Sequence, residues 1–459
     1  MAGTAKYRAY PVYKPSGVAW LGSYPSHWEM RKSKHIFKKI QRIPRDTDGI
    51  VTAFRDGEVT LRANRRTDGF TNAVKEIGYQ GVRQGDLLVH AMDGFAGAIG
   101  ISDSDGKCSP VCSVCVSLFP TKTSMNYYGY LVRQLAITDF ITSLAKGIRE
   151  RSTEFRYSEF SGLLLAFPPL LEQTKIAAFL DYETAKIDAL ITKQQRLIAL
   201  LEEKRQAVIS HAVAKGLDPT APLRPSGIDC LGDVPAHWEG SRLKHVATVK
   251  GRIGFRGYTV EDLVTADEGA LVLGAAEMGS IGELRLSNSQ YISWKKYYES
   301  PEIMLKPNMV LFVQRGSVGK VAHIADDIGP ATINPSLIVL RDIEISAKFL
   351  TISLMSNVLQ NVVKLQTSST AVPMISQEQV GNYFQLIPPI EEQLRITKFV
   401  EGRLHKIDET LSKIHSAITL LKERRTALIS AAVTGKIDLR EWQAPEDAPD
   451  STPHERAFA

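Results

Sequence analysis

Residues 168–218 are PPLLEQTKIAAFLDYETAKIDALITKQQRLIALLEEKRQAVISHAVAKGLD, and residues 388–438 are PPIEEQLRITKFVEGRLHKIDETLSKIHSAITLLKERRTALISAAVTGKID. The two segments start 220 residues apart and are identical at 21 of 51 positions without a gap. In each segment a Pro-Pro pair precedes a long run without proline, which predicts a long helix that begins after the prolines. A glycine, Gly216 or Gly435, marks the predicted end of each helix.

Apolar side chains recur in both segments at steps of four and three residues, a spacing typical of a coiled-coil seam. The seam residues are Ile187, Ile191, Ile198, Leu201 and Val208 in the first segment, and Ile407, Leu411, Ile414, Ile418, Leu421 and Leu428 in the second. One alternative is that each segment is a buried core helix of its own domain. The other helix faces are rich in Lys, Glu, Gln and Arg, however, so we expect the two seams to pair with each other.

A second repeated phrase lies upstream of each helix. Residues 15–29 are PSGVAWLGSYPSHWE and residues 225–239 are PSGIDCLGDVPAHWE, identical at nine of fifteen positions. The order of the chain is therefore phrase, variable stretch and helix, and then all three again. Because the variable stretches have little in common, the repeat indicates one scaffold that presents two different surfaces.

The sequence predicts an α+β fold: two mixed α/β domains joined by two long helices that pair as an antiparallel coiled coil, with an internal pseudo-twofold repeat. Runs such as DLLVHA, VCVSLF, MVLFVQ and SLIVL predict strands, whereas YYGYLVRQLAITDFITSLA and AKFLTISLMSNVLQNVVKL predict helices. The predicted segments are an N-terminal segment (1–29), a first variable domain (30–165), a first long helix (166–216), a linker with the second phrase (217–239), a second variable domain (240–385), a second long helix (386–436) and a disordered tail (437–459).

Length and composition limit the class of protein. A chain of 459 residues with 44% hydrophobic content is long enough for more than one core. Four cysteines are too few for a disulfide framework, and no apolar run is long enough to predict a membrane span. The first residues lack the apolar core of a signal peptide, so we expect a cytoplasmic protein.

Motifs for catalysis or metal binding are weak. Cys108, Cys112 and Cys115 include a C-x₂-C spacing, but residues three apart on a strand point to opposite faces and no nearby histidine completes a zinc site. The loop RGSVGK at 315–320 lacks the spacing of a phosphate-binding loop. No glycine-rich cofactor loop follows a predicted strand. The sequence therefore predicts no catalytic residue, no metal site and no cofactor bound by this chain.

Basic residues favour contact with nucleic acid. The net charge is +6, and residues 241–260 hold five Lys or Arg and no acidic residue. The loops DGFAG (93–97) and RGSVG (315–319) follow predicted strands, and basic or small polar loops at 146–156 and 364–373 follow predicted helices. Hairpin turns and ordinary surface loops are the alternatives. The candidate DNA-binding residues are Arg62, Arg65, Arg66, Lys146, Arg149, Arg151, Lys250, Arg252, Arg256, Arg315, Ser317, Lys320, Lys364 and Ser369.

The chain resembles the specificity subunits of type I restriction–modification systems over nearly its whole length. The resemblance rests on the SG…LG..P.HWE phrase and the PP..EQ..I..F…KID helix, each used twice, on the GSVGK loop and on the helix endings AVAKG (212–216) and AVTG (432–435). The first half departs from this pattern, because it has DGFAG where the second half has RGSVG.

The resemblance implies that each variable domain is a target-recognition domain for one half of a split, asymmetric DNA site. It also implies that the paired helices form a spacer and a docking surface for two modification subunits, which bind S-adenosylmethionine and methylate adenine. Restriction subunits would add translocation and cleavage, with ATP and Mg on the partner subunits. This chain would be a non-catalytic subunit in the cytoplasm of a bacterium or archaeon.

Within this framework, His27, Trp28, His237 and Trp238 of the repeated phrase are expected to join each domain to the scaffold. Two other functions stay open at this point. One is a self-contained DNA methyltransferase, and the other is a coiled-coil adaptor that does not bind DNA.

Overall fold

The computed structural model describes residues 7–18, 20–65, 76–138, 140, 155–228, 231–254, 257–279, 281–286, 289–368 and 373–445. The chain divides into two compact units, Met1–Gln194 with Ser416–Ala459 and Gln195–His415. Each unit therefore combines one variable domain with a part of both long helices. The C-terminal segment belongs to the first unit, although it is far from the rest of that unit in the sequence.

Short strands dominate the first unit. They are β1 (Tyr13–Pro15), β2 (Ser23–Pro25), β3 (Glu29–Lys32), β4 (Phe37–Ile40), β5 (Val51–Ala53), β6 (Val59–Leu61), β7 (Gln80–Val82), β8 (Leu87–His90), β9 (Ile99–Ile101), β10 (Gly106–Cys108), β11 (Cys112–Ser117) and β12 (Leu164–Phe167). The helices are α1 (Met125–Ile137), α2 (Tyr157–Gly162) and the first long helix, α3 (Leu170–Lys215).

The centre of the first unit is an antiparallel sheet with strand order β4-β11-β8-β9. Strand β3 of the repeated phrase pairs with β12, the strand that leads into the Pro-Pro pair. Leu87, Tyr127 and Phe160 are fully buried in the core beside this sheet. The same core includes Leu428 and Val433 from the second long helix, and Ile437 and Leu439 that follow it. The predicted disordered tail therefore does not begin at residue 437.

The second unit repeats this arrangement and has a second four-stranded sheet, whereas the first unit has the two-stranded sheets β5-β6 and β10-β7. Its strands are β13 (Leu223–Pro225), β14 (Asp233–Pro235), β15 (Glu239–Arg242), β16 (Thr248–Gly251), β17 (Leu263–Val264), β18 (Gly269–Leu273), β19 (Gln290–Ser293), β20 (Val310–Val313), β21 (Val321–His323), β22 (Ala331–Ile333), β23 (Leu337–Arg341) and β24 (Phe384–Ile387). The helices are α4 (Trp294–Tyr298), α5 (Ala347–Leu354), α6 (Asn357–Thr367), α7 (Gln377–Gly381) and the second long helix, α8 (Ile390–Val433).

The central sheet of the second unit has the order β16-β23-β20-β21, which corresponds strand for strand to the sheet of the first unit. Strand β15 of the second phrase pairs with β24, as β3 pairs with β12. A further sheet, β17-β19-β18-β22, contains a parallel pair, β18 with β22. The fold is therefore α+β with an internal repeat, as the sequence predicts.

One predicted helix is divided in two. The stretch 347–365 forms α5 and α6, because Ser356 takes an extended conformation (φ −66°, ψ 149°) immediately before α6. This is the backbone conformation of a helix N-cap, and serine is among the residues that favour that position. The prediction of one continuous helix over these residues was wrong.

The two long helices run antiparallel within each unit. In the first unit Asp188 of α3 forms an ion pair with Arg425 of α8, and in the second unit Arg205 forms one with Asp408. The predicted seam residues face inward. Buried are Ile187, Ile407, Ile414, Ile418 and Leu428, and half-buried are Ile191, Ile198, Leu201, Val208, Leu411 and Leu421.

The described part of the chain has no helix both long and apolar enough to cross a bilayer. Cys108, Cys112 and Cys115 are free thiols and are buried in the first unit. Burial raises the pKa of the Cys115 thiol to about 12, which keeps this side chain protonated. Among the described residues, no cluster of three or more His, Cys, Asp or Glu is arranged to hold a metal ion.

Candidate nucleic-acid interface

The repeated phrase joins each variable domain to a long helix through a single carboxylate. In the first unit, Glu172 in the first turn of α3 is only 7% exposed. Its Oε2 accepts hydrogen bonds from Trp28 Nε1 and the Tyr10 hydroxyl, both at 2.9 Å, and its Oε1 lies 2.7 Å from His27 Nε2. Burial and the neighbouring Glu172 carboxylate raise the pKa of Tyr10, so its hydroxyl remains a donor.

The second unit has the same joint. Trp238 Nε1 donates to Glu392 Oε2 at 2.7 Å, and His237 Nε2 lies 2.9 Å from the same oxygen. Trp238 is 1% exposed. A buried carboxylate near a helix N-terminus is stabilised by such donors and by the helix dipole. The His-Trp and Glu residues of the two repeats are therefore structural partners.

The glutamine after each of these glutamates holds the start of another helix. Gln173 Nε2 donates to the Pro168 carbonyl oxygen at 2.7 Å, and its Oε1 accepts from the backbone N–H of Ser124 at 2.8 Å. Ser124 is the residue before α1. This Glu-Gln pair therefore connects the phrase, the long helix and the first helix of the variable domain.

Gln393 repeats these contacts in the second unit. Its Nε2 donates to the Pro388 carbonyl oxygen at 2.8 Å, and its Oε1 accepts from the N–H of Ser346 at 2.9 Å. Ser346 precedes α5. Matching contacts at each pair of equivalent positions mean that the two variable domains are mounted in the same way.

The glycine at the end of each long helix packs on the tryptophan of a phrase. Gly435 has φ +69°, and a Cβ atom there would lie 2.5 Å from Pro25 Cδ and 2.9 Å from Trp28. Gly216 has φ +75°, and a Cβ atom there would lie 3.2 Å from Trp238. Glycine is required at both positions by the left-handed backbone, and at Gly435 also by the close approach.

In the second unit, the structure brings the two predicted contact loops together. The loop 315–320 follows β20, and Gly316 donates its backbone N–H to the Pro373 carbonyl oxygen at 3.2 Å. Arg315 Nη2 lies 3.3 Å from the sulfur of Met374. Arg315, Ser317, Lys320 and Lys364 are exposed. These residues, with the segment 373–374, form the edge surface of the second unit.

The glycines of this loop have different roles. Gly319 is buried, has φ +92°, and leaves no room for a Cβ atom, which would lie 2.7 Å from Gln360 Oε1. Gln360 Nε2 in turn donates to the Gly319 carbonyl oxygen at 2.9 Å. Gly316 is exposed with φ +82°, and a Cβ atom there would have no neighbour within 4 Å. Gly319 therefore fixes the loop on α6, whereas the space beside the Gly316 Cα atom is open.

The corresponding loop of the first unit has the same backbone position and different side chains. Phe155 donates its N–H to the Ala91 carbonyl oxygen at 2.7 Å, as Ile375 does to Gln314 at 2.9 Å. Asp93 lies in this loop and forms an ion pair with Arg55 at 2.8 Å. Arg55 is not among the candidates chosen from the sequence, because only the folded chain places it beside the DGFAG loop.

Two basic candidates of the first unit are engaged within the chain. Arg62 is half-buried, and its Nε donates to Thr52 Oγ1 at 2.9 Å. Arg65 is exposed, lies 3.1 Å from a Glu58 carboxylate oxygen, also pairs with Asp56, and stacks on Phe54. The carboxylates of Asp56 and Glu58 therefore neutralise the positive charge of Arg65, which a count of basic residues includes.

Lys250 and Arg252 of the second unit lie two residues apart and in different environments. Lys250 is exposed, whereas Arg252 is 7% exposed. The Arg252 guanidinium donates to the Ile333 carbonyl oxygen and to Thr332 Oγ1, both at 3.1 Å. Burial lowers the pKa of Arg252. Arg252 therefore holds β22 in place, and its guanidinium does not lie on the outer surface.

The other candidate residues lie outside the residues that the structure describes. They are Arg66, Lys146, Arg149, Arg151, Arg256 and Ser369. Of the loop 146–156 the structure describes Phe155 and Arg156, and the Phe155 N–H donates to the Ala91 carbonyl oxygen at 2.7 Å.

The amino-acid sequence of the chain is also similar to those of known proteins. The chain is 24% identical over 375 residues to the Type I restriction enzyme EcoBI specificity subunit of Escherichia coli, covering 78% of this chain and 75% of that protein. It is 22% identical over 394 residues to the Type I restriction enzyme StySPI specificity subunit of Salmonella potsdam, covering 81% of this chain and 78% of that protein. The chain is therefore similar to type I restriction specificity subunits over about four fifths of its length.

A solved structure also shares the fold of this chain. It is described as the structural basis of complex assembly and conformational transition of the type I R-M system, and it aligns with a TM-score of 0.67 at 16% identity. The alignment covers 90% of this chain and 99% of the other. No protein-family model matches the sequence.

Proposed function

We propose that this chain is the DNA sequence-specificity subunit of a type I restriction–modification complex. Each variable domain binds one half of a split DNA site, and the paired helices dock modification and restriction subunits. The related proteins from Escherichia coli and Salmonella potsdam, which are named as specificity subunits, support the proposal. A coiled-coil adaptor would not need two variable domains that present different loops.

The observation that carries the proposal is the contrast between the joints and the loops. Glu172 and Glu392 hold Trp28 and Trp238 by the same hydrogen bonds, so the two domains are mounted alike. The loops after β8 and β20, in contrast, present different side chains. A protein that recognises an asymmetric sequence in two parts needs this combination of equal mounting and unequal surfaces.

The chain acts without a catalytic residue or a cofactor of its own in this proposal. Two modification subunits supply S-adenosylmethionine and methylate adenine, and restriction subunits supply ATP- and Mg-dependent cleavage. Lys320, Lys364 and Arg315 are exposed on the edge surface of the second unit, where they contribute phosphate or base contacts. Such contacts make binding sensitive to salt.

Exchange of one variable domain tests the proposal directly. Residues 240–385 are replaced by the equivalent domain of a relative, the cognate modification subunit is added, and methylated adenines are mapped in genomic DNA. We expect one half of the recognised sequence to change and the other half, bound by residues 30–165, to persist. The reciprocal exchange of residues 30–165 is the matched control.

Two results would contradict the proposal. One is a change in both halves, or in neither, after a single exchange that leaves the complex active. The other is transfer of a methyl group from S-adenosylmethionine to DNA by the pure chain alone, which would indicate a self-contained methyltransferase.

A further inference from the structure

Gln314 occupies a position between the sheet and the edge surface of the second unit. It directly follows β20, and its backbone is bonded on both sides: its N–H donates to the Ser336 carbonyl oxygen at 2.8 Å, and its carbonyl accepts from Ile375 at 2.9 Å. The backbone of Gln314 is therefore fixed by two neighbouring segments. Arg315, the next residue, is exposed.

The side-chain amide of Gln314 has one defined orientation. Its Nε2 lies 3.1 Å from the Pro335 carbonyl oxygen and 3.5 Å from the Leu337 carbonyl oxygen. The reversed amide would place an oxygen against these two acceptors, so the nitrogen must face them. Both N–H protons are thereby directed at the protein.

The amide oxygen of Gln314 has no such partner. Its Oε1 accepts no hydrogen bond within the part of the chain that the structure describes, and the residue is only half-buried. A half-buried acceptor with a fixed direction, next to an exposed arginine, can receive a hydrogen bond from a ligand without any rearrangement. It offers an acceptor and no donor.

The chemistry of base edges narrows the choice of ligand. In the major groove, only adenine N6 and cytosine N4 are donors, whereas guanine and thymine present acceptors at the corresponding positions. Resting on the proposed function, we propose that Gln314 is a specificity-determining residue whose Oε1 accepts a hydrogen bond from the exocyclic amine of an adenine or a cytosine. Guanine or thymine at that position places two acceptors against each other.

The first unit has no equivalent of this acceptor. Ala91 occupies the same backbone position after β8, as its hydrogen bond from Phe155 shows. An alanine side chain has no polar atom. At this structurally equivalent position the second unit thus has a side-chain acceptor and the first unit has none. We therefore expect substitution of Gln314 to change base preference only in the half-site bound by the second unit.

The test uses the full chain in complex with its cognate modification subunit. The wild-type site is mapped first, and duplexes with each position of the site varied in turn then serve as methylation substrates. The variant Gln314→Met keeps the length of the side chain and removes the acceptor. We expect the preference for adenine or cytosine at one position of one half-site to fall by roughly tenfold, with the other half unchanged.

Lys320→Met is the matched control, because it removes an exposed charge from the same loop. It should weaken methylation of all duplexes by a similar factor. Thermal unfolding of both variants checks that the second unit remains folded.

Two outcomes of the Gln314→Met experiment would overturn the inference. Unchanged preferences at every position would show that Gln314 does not contact a base. An equal loss on all duplexes would show that it only supports the loop. In both of these outcomes the proposed function still holds if the wild-type complex methylates a bipartite site. If the wild-type complex methylates no defined site, the proposed function and the role of Gln314 are both contradicted.

Discussion

The indole N–H of Trp28 donates a hydrogen bond to Glu172 at 2.9 Å, although 144 residues separate the two in the chain. The whole first variable domain lies between them. The bond closes the domain at its base, next to the Pro-Pro pair where α3 begins. Trp238 and Glu392 close the second domain in the same way.

Loss of the Trp28 hydrogen bond should destabilise the first unit. In Trp28→Phe the aromatic packing is largely kept, but Glu172 loses one of its three donors while it remains buried. We expect the free energy of unfolding to fall by about 1–3 kcal/mol. Trp20→Phe is the control, because Trp20 is half-buried and its indole donates no hydrogen bond within the described residues. Equal urea midpoints for the two variants would contradict the prediction.

The glycine at the end of α8 should tolerate no side chain. Gly435→Ala forces an alanine to a left-handed φ and places its Cβ 2.5 Å from Pro25. Gly22→Ala has a similar φ of +64° with nothing within 4 Å, so it measures backbone strain alone. We expect Gly22→Ala to cost about 1 kcal/mol of stability, and Gly435→Ala to cost clearly more. Thermal unfolding of both variants makes the comparison, and equal losses would show that Pro25 and Trp28 move aside at no cost.

The ion pairs between the long helices should contribute unequally. Asp188 and Arg425 have side-chain exposures of 51% and 28%, whereas Arg205 and Asp408 have 11% and 31%. Exposed pairs contribute about 0.2–1 kcal/mol, and the loss of one partner costs more as the other is more deeply buried. Double-mutant cycles with alanine at each pair, followed by urea unfolding, should give the larger coupling energy for Arg205–Asp408.

Exchange of the charges provides the control for these cycles. Arg205→Asp with Asp408→Arg should recover part of the stability that either single reversal removes. Single reversals that are no worse than the double reversal would show that the pair does not stabilise the antiparallel helices.

Arg315 and Lys320 should differ in what they do for DNA binding. If Arg315 contacts a base, Arg315→Ala weakens binding of the cognate site by about 1–3 kcal/mol and relaxes the preference at one position. Lys320→Ala should weaken binding of cognate and non-cognate duplexes alike. It should also lower the number of counterions released on binding, obtained from the salt dependence, by about one. Binding of the assembled complex to duplexes over a range of salt concentrations separates the two effects. A loss from Arg315→Ala that is uniform over all sequences would identify a phosphate contact.

Arg252 and Lys250 form a second contrasting pair. Arg252→Ala should lower the stability of the second unit, because the buried side chain bonds Ile333 and Thr332 and fills the space beside Tyr258. Lys250→Ala should leave stability unchanged within about 0.5 kcal/mol. A chemical unfolding curve for each variant decides. If Arg252→Ala leaves the midpoint unchanged, its guanidinium does not hold β22.

The sequence predicts the local features of the fold well. A Pro-Pro pair and four-three spacing locate both long helices, which begin at Leu170 and Ile390. These signals depend only on near neighbours in the chain. The division of residues 347–365 at Ser356 was missed, because apolar spacing continues through the break and the N-cap conformation shows only in the backbone.

The long-range contacts of the candidate site cannot be predicted from the sequence in the same way. Arg252 is a DNA-binding candidate on the sequence alone because it is basic. The sequence does not indicate whether such a side chain faces the solvent. The sequence does not indicate Gln314 as a DNA-binding candidate, because its side chain is neutral. The direction of its amide oxygen is set only in the folded chain, where the amide nitrogen donates to the carbonyl oxygens of Pro335 and Leu337. Arg55 became relevant only through its ion pair with Asp93.

The division of the chain into units has a consequence for synthesis on the ribosome. The second unit, Gln195–His415, is continuous, so all of it has been made before the last helix is complete. The first unit needs Leu428, Val433 and Leu439 from the end of the chain to fill its core. Although its strands are translated first, the core of the first unit therefore cannot be complete before Leu428, Val433 and Leu439 have been synthesised.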